Sequence, residues 1–290
     1  MKKTKPFSFW KASSYISAFL TATLMSAPAF AVLGQPVPGG MNFQEAASPM
    51  KEKMAFFHNH LLMPIMMTIT AFVFLLLLIV IIRFNAKANP VPSKTTHNVL
   101  LEVVWTLIPV LILITIAIPS MKMLYYVDKT TDAELTLKIT GSQWYWSYDY
   151  PDDGGISFIS NLVPEKDLKE GQPRLLATDN PVVLPVDTNI KLLMTATDVI
   201  HSWAVPAFGV KLDAVPGRLN ETWVRIDKEG TFYGQCSEIC GTGHGYMPIE
   251  VHAVSRKAFA EWVKKQGGKM PSASFAATSQ KTKTEETGEE

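Results

Sequence analysis

The chain has 290 residues, 47% hydrophobic and 18% charged, with 27 Lys and Arg against 26 Asp and Glu for a formal net charge of +1 at pH 7. That length holds one ordinary domain with accessories, and a positive mean hydropathy places part of it in lipid. The near balance of charge offers no basic excess, so no nucleic-acid partner is expected.

The N-terminus reads MKKTKPFSFWKASSYISAFLTATLMSAPAFA, with four lysines and no acid, an apolar small-residue stretch, and Ala29-Phe30-Ala31 as an A-x-A cleavage site. Residues 1–31 are therefore expected to be a cleaved export signal. The absence of arginine favours a bacterial secretory signal over a transit peptide, and no cysteine follows it to mark a lipoprotein. Its removal takes the formal charge from +1 to −3. Residues 32–57 form an external arm.

Two apolar runs follow, Leu61 to Ile82 and Val103 to Met121, of 22 and 19 residues without a charge. Each is close to the roughly 20 residues that span a bilayer as helix, predicting transmembrane helices over 58–84 and 102–123. The loop between them, 85–101, sits in a stretch carrying Arg83, Lys87 and Lys94 and no acid, which the positive-inside rule puts in the cytoplasm. Both the arm and everything beyond the second span then face the periplasm of a bacterial inner membrane.

Residues 124–266 read as a periplasmic β domain. ELTLKIT (134–140) and IEVHAV (249–254) alternate apolar and polar, NIKLLMTA and TWVRID add β-branched runs, and YPDDGG, EGQP and AVPGRLN punctuate them. The fold class expected is a membrane-anchored all-β protein: a two-helix transmembrane hairpin followed by a cupredoxin-like Greek-key β-sandwich. Ser255 caps a short helix, RKAFAEWVKKQ, and residues 267–290 have almost nothing to bury and read as a disordered tail.

QCSEICGTGHGYM (235–247) holds the only two cysteines of the chain, with a histidine and a methionine at similar pitch. A disulfide is the ordinary reading of two cysteines in an oxidising compartment, but C-x3-C would close a very small loop and leave His244 and Met247 unexplained. Structural zinc with a distant histidine is a second reading. The methionine argues for copper instead, because thioether and thiolate are soft ligands. A mononuclear blue-copper site needs one cysteine, whereas two thiolates suit a pair of coppers bridged by both sulfurs, each completed by an imidazole. His201, which ends a predicted strand 35 positions before Cys236, is the candidate for the second imidazole. His252 competes, but it shares the polar face of a strand with Glu250, and both are expected to point to solvent.

DVIHSWAVPAFGVKLDAVPGR, YGQCSEICGTGHGYMPI and GSQWYWSYDY together closely resemble subunit II of the haem-copper cytochrome c oxidases, and the spans, signal and β domain extend the likeness over residues 32–265. The resemblance implies a binuclear copper A centre bridged by Cys236 and Cys240, capped by His201 and His244, with Met247 a weak ligand and the Glu238 backbone carbonyl another. It also implies a magnesium ion on the Glu238 side chain, shared with subunit I. Trp144, by itself one of four aromatics at period two in a strand, resembles the tryptophan through which electrons enter from cytochrome c. Ser142 departs from the family, where histidine is common. Glu102, at a helix start where an acid is usually only favourable to the dipole, matches the glutamate at the mouth of a proton-uptake channel in subunit I. The resemblance also implies that Asp213 and Arg218, in KLDAVPGR, lie near the subunit interface.

The implied function is electron entry: electrons pass from cytochrome c to copper A and on to the haem of subunit I, where oxygen is reduced to water with proton translocation. The expected partners are subunits I and III, cytochrome c and the membrane. A membrane-tethered copper carrier without an oxidase partner is the alternative. Quinol oxidases share the fold but lack the copper ligands that are complete here. Residues 131–255 carry 17 Asp and Glu against 9 Lys and Arg, a net of −8 that suits a basic donor. Asp179 and Asp198 match acidic positions of the family's docking face, whereas Ile159 stands where an acid has been lost.

Overall fold

The computed structural model describes residues 33–128 and 133–269. The expected signal and the tail from Met270 onward lie outside these residues.

Two long helices come first. Helix α1 runs Pro49–Arg83 and helix α2 runs Val99–Asp128, both long and apolar enough to cross a membrane. Helix α1 starts where Ser48 Oγ accepts the Lys51 amide at 3.0 Å, with Pro49 in the first turn, where its missing N–H costs nothing. One π-type turn, His58–Leu62, interrupts it. Asn85 closes it: Nδ2 donates to Ile82 O at 2.8 Å, while Oδ1 accepts the Lys87 and Ala88 amides at 3.0 Å. Asn98 opens α2 by accepting the Leu101 amide at 3.1 Å. Pro109 and Pro119 lie within α2, as prolines can in helices meant for lipid.

Both helices outrun the predicted spans, for a tertiary reason. The start of α1 lies inside the expected arm and packs on the β domain. Met50 is buried there, Ser48 Oγ donates to Phe208 O at 2.6 Å, and Ala47 N donates to Ala207 O at 2.9 Å. Gly209 is left without a side chain because a Cβ would meet Met54 Sδ at 3.0 Å, and its φ of +71° suits glycine. Helix α2 continues past Met123 to Asp128, where Trp223 Nε1 donates to Tyr126 O at 3.2 Å.

Ten strands make the β domain: β1 Leu135–Ser142, β2 Tyr145–Tyr150, β3 Ile156–Ser160, β4 Val182–Pro185, β5 Ile190–Ala196, β6 His201–Val205, β7 Val210–Ala214, β8 Asn220–Val224, β9 Gly230–Cys236 and β10 Pro248–Val254. They form two five-stranded sheets, β3-β2-β1-β5-β8 and β4-β10-β9-β6-β7. The pairs β1·β5 and β4·β10 are parallel and the rest antiparallel, so chain crossovers join the layers of the sandwich. Alternation in β1 sends Leu135, Leu137 and Ile139 inward beside Ile190, Leu192 and Met194 of β5, all fully buried. Trp203, Val205, Phe232 and Ile249 of the second sheet are also fully buried, and each such side chain contributes roughly 1.5–3 kcal/mol.

Three expectations are corrected. The four period-two aromatics of WYWSYDY do not share a face: Trp146, Tyr148 and Tyr150 are buried in β2, whereas Trp144 lies in the turn before it and is 37% exposed. His201 opens β6 instead of ending a strand, because β5 stops at Ala196 and Asp198 Oδ1 turns the chain by accepting the Val199 amide at 2.7 Å. Glu250 points inward: it is buried, with Oε2 accepting the Thr178 amide at 2.7 Å and Oε1 meeting His252 Nε2 at 2.9 Å.

After β10, Ser255 Oγ accepts the Ala258 amide at 3.2 Å and starts helix α3, Arg256–Lys265, which buries Phe259 and Val263. The first residues assigned to the tail are tied down: Lys269 N donates to Asp153 O at 2.9 Å.

Candidate metal centre

The site forms where β6 and β9 meet. Trp203 pairs with Cys236, so the start of one strand and the end of the other bring His201 beside the thiol loop. The loop returns through a 3-10 turn, His244–Tyr246, to β10, and Ser237 N donates to Ser202 O at 2.9 Å to fix its departure. His201, Cys236, Cys240 and Met247 are buried, while His244 is only half-buried and Glu238 likewise.

The two sulfurs lie at the middle of the donors. Cys236 Sγ and Cys240 Sγ are 3.8 Å apart, well beyond the ~2.0 Å of a disulfide. His201 Nδ1 lies 3.9 Å from Cys236 Sγ, and His244 Nδ1 lies 3.6 Å from Cys240 Sγ. Met247 Sδ is 3.6 Å from Cys240 Sγ, and the Glu238 carbonyl is 3.4 Å from Cys236 Sγ. Ligands about 2.0–2.3 Å from a shared tetrahedral ion stand roughly 3.3–3.8 Å from each other, so these separations are close to those of a metal centre. The donor set is two thiols, two imidazoles, a thioether and a carbonyl. Every copper ligand expected from the resemblance is in it.

The surroundings orient the donors. His201 Nε2 lies 2.9 Å from Asp198 Oδ1; donation there leaves Nδ1 as the lone pair facing the thiols. Asp198 Oδ2 accepts the Gln143 amide at 2.7 Å. Burial opposes ionisation of Asp198, but the bonds from His201, Val199 and Gln143 prevail and hold its carboxyl below the usual range. Burial, followed by the neighbouring Cys236, pushes the Cys240 thiol up to about 12. Holding a soft cation there would require the Cys240 proton to leave.

Trp144 touches the loop directly: its Nε1 donates to Cys240 O at 3.2 Å, and Gln143 Nε2 donates to the same oxygen at 2.8 Å. Gln143 escaped sequence reasoning, although it stands next to Trp144. Asp198, expected on a docking face, has both oxygens engaged within the site. Asp179 stands apart on the surface, accepting the Asn161 amide at 2.7 Å. Glu102 lies in the first turn of α2, in a shallow apolar groove with Val99, Val103 and Thr106. His252 is held by Glu250, not by the thiol loop. The Glu238 carboxylate makes no hydrogen bond or ion pair among the described residues.

Residues 135–254 match the family described as cytochrome c oxidase subunit II, periplasmic domain, and residues 36–123 match its transmembrane domain. The chain belongs to the cytochrome c oxidase subunit II family. A probable cytochrome c oxidase subunit 2 of Rickettsia felis is 49% identical over 88% of this chain and 79% of its own. Cytochrome c oxidase subunit 2 of Cereibacter sphaeroides is 42% identical over 86% of this chain and 87% of its own. The periplasmic domain of subunit II of the Bradyrhizobium japonicum oxidase is 52% identical, with a TM-score of 0.45, covering 48% of this chain and 97% of that one. Family membership makes this a membrane protein with two spans and a copper-binding β domain.

Proposed function

We propose that the chain is the electron-entry subunit of a bacterial cytochrome c oxidase, holding a binuclear copper A centre on Cys236, Cys240, His201, His244, Met247 and the Glu238 carbonyl. The observation that carries this reading is the pair of free thiols 3.8 Å apart with a separate imidazole beside each. Held by these residues, two coppers would supply a one-electron relay. The rest is done by the chain's own residues. Asp198 holds His201 in one tautomer, the buried pocket excludes water, and Trp144 joins the surface to the thiol loop through its bond to Cys240 O.

The β domain and the N-terminal arm are assigned to the periplasm and the loop 85–101 to the cytoplasm, on the strength of its lysines and Arg83. Cytochrome c is the donor, with Asp179 in its docking field. Subunit I takes the electron and reduces oxygen, and subunit III completes the assembly. The free carboxylate of Glu238 supports a magnesium ion shared with subunit I. Glu102, at the cytoplasmic end of α2, supports proton uptake into that subunit.

Metal analysis with electron paramagnetic resonance on the full chain in detergent tests the assignment. Two coppers and a delocalised mixed-valence signal are expected. One copper with a mononuclear spectrum, or stoichiometric zinc, overturns it.

A further inference from the structure

Where the two spans reach the β domain they border an open cavity of about 970 Å³. Its walls are two helix faces. Helix α1 contributes Lys53, Phe56, Phe57, His60 and Leu61, spaced i, i+3, i+4, i+7 and i+8. Helix α2 contributes Pro119, Lys122, Met123 and Tyr126 at the same periodicity. Such faces ordinarily interdigitate, bringing axes to 8–10 Å. Here the Lys53 ammonium lies 3.7 Å above the Tyr126 ring, yet the cavity between the faces stays open.

The chemistry of the walls changes with depth. Leu61 and Met121 are the outermost residues of the two charge-free stretches, so the apolar wall continues into the hydrocarbon while Lys53 and Lys122 stand at headgroup level. Lys53, His60 and Lys122 are exposed, and neither lysine pairs with a carboxylate among the described residues. Glu52 is the one acid on the rim, and its charge also reaches Asp227.

We propose that this cavity binds an anionic phospholipid, its phosphate between Lys53 and Lys122 and an acyl chain running inward along Leu61 and Pro119. A transmembrane helix of a partner subunit in the same place would bury two ammonium groups and need acids to pair them. A lipid phosphate meets the lysines where they already stand, at the membrane surface, and its chain continues the apolar wall.

The test uses the full chain, delipidated in detergent and titrated with phosphatidylglycerol or phosphatidylcholine, bound lipid being counted by native mass spectrometry. Phosphatidylglycerol is expected to bind about tenfold or more tightly than phosphatidylcholine. The double variant Lys53→Gln/Lys122→Gln loses that preference, and Lys53→Arg/Lys122→Arg keeps it. Lys87→Gln/Lys94→Gln, at the other end of the spans, also keeps it. Equal affinity for the two lipids overturns the site, as does a preference that survives in the Lys53/Lys122 glutamine variant. Neither lysine belongs to the thiol loop, so lipid loss and copper loss are measured independently.

Discussion

Cys236 and Cys240 are buried in the core with their sulfurs 3.8 Å apart, and in the proposed centre a soft cation depends on both. Cys236→Ser and Cys240→Ser are each expected to abolish the mixed-valence signal. Met247→Leu keeps copper and changes its potential, since a thioether is a weak, tuning ligand. Copper content with potentiometry separates the two outcomes, and full copper binding in either serine variant contradicts the bridging role. Asp153 poses a different residue-scale problem. It is fully buried, neither carboxylate oxygen has a hydrogen-bond partner, and burial, followed by Asp152, raises its pKa to about 7 from the ordinary 3.8. The folded state therefore keeps a proton that the unfolded chain has released. Stability from this group is greatest below pH 4, declines as pH rises toward 7, and is level above that. The decline amounts to about 4 kcal/mol at most. Asp153→Asn is expected to remove this part of the pH dependence and raise the Tm at pH 8; parallel melting curves for the two proteins from pH 4 to 8 would refute it.

At the scale of elements, the site depends on where strands leave no room. A Cβ at Gly141 in β1 would lie 2.9 Å from the Cβ, Cγ and Cδ2 of His201, so the end of β1 packs flat against the imidazole. A Cβ at Gly243 would lie 2.4 Å from the Trp144 ring. Gly141→Ala forces His201 aside, and copper affinity is expected to fall about 10- to 100-fold, as when an outer-shell partner is lost. The circular dichroism of the β domain stays unchanged. Unaltered copper affinity would mean that the imidazole moves freely and that this packing does not position it. None of this was visible in GSQWYWSYDY, where the period-two aromatics suggested a single face. The turn that takes Trp144 off that face is held by long-range bonds from Gln143 and Trp144 to Cys240 and from Gln143 to Asp198.

For the whole molecule, charge and route separate two ways of slowing electron entry. Residues 131–255 carry 9 Lys and Arg against 17 Asp and Glu, a field that accelerates encounter with a basic donor and weakens in salt. Asp179→Asn is expected to slow bimolecular reduction by cytochrome c two- to fivefold at low ionic strength and to flatten its salt dependence, leaving copper unchanged. An unaltered salt dependence in stopped-flow measurements would remove Asp179 from the docking field. Trp144→Gln should leave the encounter intact and cut transfer within the complex by orders of magnitude, because the exposed ring is the aromatic that joins the surface to the Cys240 carbonyl. Asp198→Asn falls between these cases: its carboxylate holds His201, so a change in the copper signal accompanies any change in rate.

The sequence by itself determined the two spans, the sandwich, and the residue types gathered in the loop around Cys236 and Cys240. Continuous apolarity, period-two alternation and ligand chemistry are local properties, legible wherever the residues stand. Only the tertiary structure decided that α1 begins at Pro49 on the β domain, that Glu250 turns inward to Thr178, and that Asp198 serves His201 before any partner. Each of these rests on contacts between residues far apart in the chain, or on a turn whose side-chain bonds override the strand pattern. A buried carboxylate or a capped helix start is stable only against the groups that folding brings to it.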